Sequence, residues 1–131
     1  VKEKIYAQKI KKECNSPVEL AQKYYSTLLV LNNISLSQRE IELISFTAVR
    51  GTISSSSAKD EFIRQFGSSV DTINNMISKL RKKSLLIKQN GKTKIHPSIA
   101  LDFNHKTFVI QLKLNIKPKD GLSEGMVKED N

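Results

Sequence analysis

Apolar residues recur at helical spacing through the middle of the chain and at strand spacing near its end. Ser16-Pro17-Val18-Glu19 is a capping box with proline at the first helical position, predicting a helix to about Asn32. Val18, Ala21, Tyr25, Leu28 and Leu29 share one side of it, and Tyr24, Val30 and Leu31 widen the apolar surface beyond one stripe. Such a helix is either packed inside a core or shared with a second subunit. Asn32-Asn33 breaks the pattern. Ser37 to Glu40 is a second capping box, with Leu36 and Ile41 placed as a hydrophobic staple. The helix it opens carries Ile41, Leu43, Ile44, Phe46 and Val49 and stops at Gly51. A short helix over Ala58 to Phe66 turns Phe62, Ile63 and Phe66 inward and Lys59, Asp60 and Arg64 outward, and Gly67 ends it. Between these two helices, residues 52–57 (TISSSS) read as a flexible linker with a spare N-cap. Their other reading is a set of hydroxyls that meet a phosphate backbone or become phosphorylated.

The next stretch, 68–96, organises the rest. Ser68 or Ser69 caps a helix, and Asp71 favours the positive end of its dipole. Val70, Ile73, Ile77 and Leu80 form its buried stripe, with Met76 at the border of the core. The opposite face carries Asp71, Thr72, Asn75, Lys79 and Lys82, while Asn74 and Arg81 flank the stripe and go to packing or solvent. Leu85, Leu86 and Ile87 begin a strand, Asn90-Gly91 is a strong hairpin signal, and Lys92 to His96 returns. After a connector from Pro97 to Asn104, residues 107–117 alternate strictly, with Phe108, Ile110, Leu112, Leu114 and Ile116 facing one way. That pattern predicts a half-buried strand, which adds to the hairpin's sheet or pairs with a partner's edge. The class is therefore α+β and mainly helical. Three stretches follow: a basic arm over 1–15, in which periodicity does not separate strand from helix; a folded domain over 16–117; and a flexible tail over 118–131.

Charge sharpens this picture. The chain has a formal net charge of +9, and Lys79 to Lys94 holds seven Lys or Arg and no acid. A local cationic face attracts phosphate, whereas scattered lysines mainly keep a protein soluble. The cationic end of a helix dipole accounts for Lys79 to Lys83 alone, but the basic run continues through the hairpin, where no dipole asks for it. The N-terminal arm reads as a solvated terminus or as a second segment that tracks nucleic acid. One cysteine, Cys14, excludes an internal disulfide framework and a cysteine-based zinc finger. No apolar run is long enough to span a bilayer, which leads to an expectation of no membrane partner and a reducing, cytoplasmic setting. His96 and His105 belong to no metal-spaced cluster, and there is no phosphate-cradling glycine loop or nucleophile elbow. No catalytic residue, metal or cofactor is expected.

The pieces LSQREIELISF, SAKDEFIRQFG, SSVDTINNMISKLRKKSLL and IKQNGKTKIHP, spanning about 36–97, resemble in that order the winged helix-turn-helix superfamily. The opening LSQREIE with the later S-x-x-T-I-x-N also resembles response-regulator output domains of the LuxR type. The serine loop lengthens the spacing between the first two helices, and a wing follows the third. Both features turn the resemblance toward MarR-like or replication-initiator-like winged helices. The lysine-, asparagine- and isoleucine-rich chain also has the general look of small winged-helix proteins of tailed phages, some of which act in genome packaging or travel in the particle. The helix at 16–32 and the strand at 107–117 are then additions to the fold.

The resemblance implies double-stranded DNA as partner, with helix 69–83 in the major groove and the wing, 85–96, along the flanking backbone. Asn75 would bond adenine, and Ser69 and Thr72 a base or a phosphate. Lys79, Lys82 and Lys83 on the helix and Lys88, Lys92 and Lys94 on the wing would hold phosphates. Asn75 read without the resemblance is an ordinary solvent-facing asparagine. Two roles follow: a transcriptional regulator or replication initiator that dimerises through 16–32 and 107–117, or a structural component of a phage particle or packaging machine, located in the virion or host cytoplasm.

Overall fold

A computed structural model describes residues 3–104 and 107–118. It is α+β and mainly helical, in the order β1 (Lys4–Glu13), α1 (Pro17–Leu31), α2 (Gln38–Arg50), α3 (Ser56–Phe66), α4 (Val70–Lys82), β2 (Leu86–Gln89), β3 (Lys92–Ile95), a 3-10 turn (Pro97–Ile99) and β4 (Thr107–Ile116). The described residues form two compact units, one within Glu13–Phe108 and a second that joins residues 3–12 to residues 109–118. Residues 4–13, expected as an arm, are a strand, and its pairing partner is β4. The expected tail from 119 on and His105 lie outside the described residues.

The helix starts follow their hydroxyls. Ser16 Oγ accepts from the Glu19 amide at 3.2 Å, although the Glu19 carboxylate turns to the Asn15 amide instead of closing the box. At Ser37 the box is complete, with the Glu40 carboxylate accepting from the Ser37 amide at 2.8 Å. Ser55 and Ser69 cap α3 and α4 through the amides of Ala58 and Thr72. Each such cap satisfies an amide that the helix itself leaves without a partner.

α1 packs mainly on α2. Leu20, Ala21, Tyr25 and Leu29 of α1 meet a core that includes Leu43, Ile44, Phe46, Phe62, Ile73, Leu80 and Leu86. Val30 and Leu31, which widened the apolar surface in the sequence, stay in solvent at 72% and 68% exposure. Two aromatic clusters brace the packing. Phe46, Phe62 and Phe66 join α2 to α3 with ring centroids 5.0–6.5 Å apart. Tyr24, Tyr25 and Phe103 join α1 to the segment after the hairpin, with centroids 5.0–5.7 Å apart. That segment is more than a connector, because Phe103 is buried and the Ile99 carbonyl accepts from the Tyr25 hydroxyl at 2.8 Å. Burial, with Tyr24 adding to it, pushes the Tyr25 hydroxyl well above the usual tyrosine range.

The serine loop also departs from its expected role as a flexible linker. Ile53 is fully buried and donates its amide to the Thr93 carbonyl at 3.1 Å. The Thr93 amide in turn donates to Ser54 Oγ, so one backbone bond and one side-chain bond tie this loop to β3. On α4 the buried stripe is Ile73, Met76 and Leu80, while Val70, expected to be buried, is exposed. In β4, Ile110 and Leu112 are partly covered and Leu114 and Ile116 exposed, so this strand is less buried than its alternation predicted. It belongs to a sheet separate from β2–β3.

Phe103→Ala is expected to cost about 3–5 kcal/mol in urea unfolding, as aromatic truncations in a core do. Tyr25→Phe, which strands the Ile99 carbonyl, is expected to cost about 1 kcal/mol. A Phe103→Ala loss below the Tyr25→Phe loss would mean that residues 97–104 do not contribute to the core.

Candidate nucleic-acid interface

α4 buries one stripe and leaves the rest of its surface in water. Asp71, Thr72, Asn74, Asn75, Ser78, Lys79, Arg81 and Lys82 are all exposed. Asp71, Asn75, Ser78 and Lys82 follow one another at four- and three-residue steps opposite the buried stripe, making a continuous polar strip along the helix. Near the N-terminus two hydroxyls are already paired. Ser69 Oγ accepts from the Thr72 amide at 3.2 Å and donates to Thr72 Oγ1 at 2.9 Å. Ser69 is thereby committed to the cap, while Thr72 keeps its own hydroxyl hydrogen to give.

The two long edges of α4 differ. On one edge, Lys79 Nζ lies 3.5 Å from the Glu40 carboxylate, and Lys83 Nζ donates to the Ser35 carbonyl at 3.4 Å. These two cations are drawn back toward the start of α2. On the other edge, Ser78, Arg81 and Lys82 line an open groove whose far wall is Leu86, Ile87 and Lys88 of β2. The groove brings three cations and a hydroxyl together with Leu86 and Ile87, and among the described residues no acid lines it.

The hairpin distributes its lysines over two faces. Asn90 (φ 54°) and Gly91 (φ 77°) both sit in the left-handed region, as the two-residue turn that suits twisted strands requires. The register pairs Leu86 with Ile95, Ile87 with Lys94, Lys88 with Thr93 and Gln89 with Lys92. Directly opposed residues share a face, so Lys88 lies on the face of Leu86, Thr93 and Ile95, and Lys92 and Lys94 lie on the other. Lys94 borders a separate small pocket with Thr47, Ala48, Gly51 and Leu101.

The residues expected to bind DNA therefore fall into three sets. Asn75 and Lys82 sit on the outward strip, with Thr72 beside it, and Lys88 continues the strip across the groove. Lys79 and Lys83 are engaged elsewhere on the protein, and Ser69 is engaged in the cap. Lys92 and Lys94 face away from Lys88. The sequence reading missed Ser78 and gave Arg81 to packing or solvent. Helical spacing places Ser78 between Asn75 and Lys82, but only the fold of β2 against α4 shows Arg81 beside Lys88. His96 is half-buried and structural, since its Nδ1 accepts from the Ser98 amide at 3.1 Å. Among the described residues, no group of three or more His, Cys, Asp and Glu is placed to hold a metal ion, and no helix is long and apolar enough to cross a membrane.

No family model matches the chain, and no curated protein or solved structure matches it.

Glu40 links this surface to the core. Burial acts to raise its carboxyl pKa, but the hydrogen bonds from Ser37 and the nearby Lys79 ammonium more than reverse that, leaving it below the ordinary glutamate range. A carboxyl lowered in the folded state stabilises the fold above the unfolded value, about pH 4.3, and loses that contribution as pH falls through the folded value. Melting temperature is thus expected to fall more steeply in the wild type than in Glu40→Gln from about pH 5 down to pH 3. Parallel curves across that window would show that the carboxylate is not held in the fold.

Proposed function

We propose that the unit Glu13–Phe108 is a winged-helix DNA-binding module and that the protein is a transcriptional regulator or replication initiator without catalytic activity. In this reading α2, α3 and α4 are the three helices of the fold, the Ile53–Thr93 bond stands in the place of its first short strand, and β2–β3 is the wing. α4 enters the major groove with Asn75 and Thr72 toward base edges. The observation that carries the reading is the groove of Ser78, Arg81, Lys82 and Lys88, with three cations and no acid among the described residues that line it, which prolongs the polar strip of α4 onto the hairpin. A groove of this kind suits a phosphate backbone, whose charge makes cationic contacts additive and dependent on salt. Lys79, paired with Glu40, contributes less than Lys82.

A structural or assembly role, such as a phage particle or packaging component, is the second reading. The β1–β4 ribbon favours it, because that ribbon lies outside the module and exposes large apolar side chains, among them Ile5, Val109 and Leu114.

The test is a salt titration of binding to mixed-sequence duplex DNA. The wild type is expected to show a steep slope of log K against log salt. Arg81→Ala/Lys82→Ala/Lys88→Ala is expected to flatten it by about two to three units, whereas Lys79→Ala is expected to change it by less than one. Asn75→Ala is expected to cost about 1–3 kcal/mol on a preferred sequence and little on others. Absence of binding at low salt, or a slope unmoved by the triple substitution, would overturn the assignment of DNA to this face.

A further inference from the structure

The ribbon made by β1 and β4 has two strands of ten residues each, and among the described residues neither has another strand beside it. A two-stranded ribbon is marginal in water, and a long open edge is a template for another strand. The two edges are unlike. β1 carries Lys4, Lys9 and Lys11, the charged residues that keep an edge from pairing. β4 carries only Lys113 between Thr107 and Ile116, and large apolar residues alternate along it.

We propose that β4 pairs antiparallel with β4 of a second copy about a two-fold axis at Leu112, giving a four-stranded sheet in the order β1, β4, β4, β1. A two-fold axis makes a strand meet itself antiparallel, so one sequence has to complement its own reverse. β4 does so. Centring on Leu112 sets Leu112 opposite itself, Ile110 opposite Leu114, Gln111 opposite Lys113 and Val109 opposite Asn115. Ile110, Leu112 and Leu114 stay together on one face, Val109 falls with Gln111, Lys113 and Asn115 on the other, and no two lysines oppose, whereas centring on Lys113 sets a cation against its own copy. Any register displaced by a single position in the pairing sum sets apolar residues against polar ones. The same operation on β1 brings two lysine-rich strands together, so the outer edges of the four-stranded sheet remain blunted and growth stops at two copies.

The experiment uses the whole chain without DNA, so its outcome is independent of the DNA-binding reading. Sedimentation of the wild type at tens of micromolar is expected to give a dimer. Leu112→Lys, which sets two cations face to face on the axis, is expected to shift it to monomer, and Ile10→Lys on β1 is expected to leave it dimeric. Mild oxidation of Leu112→Cys is expected to give a covalent dimer, because an opposed antiparallel pair has the separation a disulfide spans. Gln111→Cys and the unsubstituted chain, whose only cysteine is buried, are expected to stay uncrosslinked. Circular dichroism showing wild-type strand content as well as helix content in Leu112→Lys excludes misfolding of the ribbon as the cause of a monomer. A monomeric wild type, an open-ended series of larger oligomers, or crosslinking at 111 and not at 112 would overturn the proposal.

Discussion

Removing Ile73, Met76 and Leu80 from water fixes how α4 is turned about its own axis, and that rotation decides which of its polar residues reach solvent. At about 25 cal/mol per Å² of apolar surface, three large side chains contribute several kcal/mol, more than any single exposed ion pair. Turning the helix by one residue would expose part of this stripe. The outward strip of Asp71, Asn75, Ser78 and Lys82 is therefore set by what is hidden beneath it. The side of α4 that carries Lys79 is set the same way, and it brings that ammonium to a carboxylate already fixed by the capping box of α2.

The hairpin depends on a second constraint. Four residues per strand would hold poorly alone, but Leu86 and Ile95 are buried together and the loop before α3 pairs with Thr93. Ile53 thus ties the start of α3 to the strand that follows α4. With the hairpin held from both sides, Lys88 lies against the end of α4 and a row of separate cations becomes one concave surface. Its cost is the mutual repulsion of Arg81, Lys82 and Lys88, which water and salt screen in an open groove and which an anion would remove.

Much of this was legible in the chain, and the reason is locality. Caps at Ser16, Ser37 and Ser69, the turn at Asn90-Gly91 and the alternation after Thr107 each depend on residues within a few positions of one another. What was not legible depends on distant partners. Nothing near Ile53 in sequence indicates Thr93, forty positions on. Arg81 looks like a flanking residue until β2 folds beside it, and Lys79 and Lys82 look equivalent until Glu40 claims one of them. Residues 4–13 illustrate the same limit. Their apolar spacing is irregular, and it takes β4 to make them a strand. Val70 erred in the other direction. It has the spacing of the buried stripe, but it sits in the first turn, beyond the reach of the core.

The two units solve opposite problems with the same residue types. In Glu13–Phe108, apolar side chains close a core and three of the cations, Arg81, Lys82 and Lys88, gather along one edge of α4, where like charges are tolerable only because solvent surrounds them. In the ribbon, apolar side chains have no core of their own to enter, and the lysines of β1 are spread along an edge. A basic residue on a helix surface invites an anion, while the same residue on a strand edge repels another strand. Two groups of the chain's cations thus differ in arrangement. One is concentrated and faces a concave surface, as a binding site for phosphate would be. The other is dispersed and leaves β4 as the edge at which charge does not oppose association.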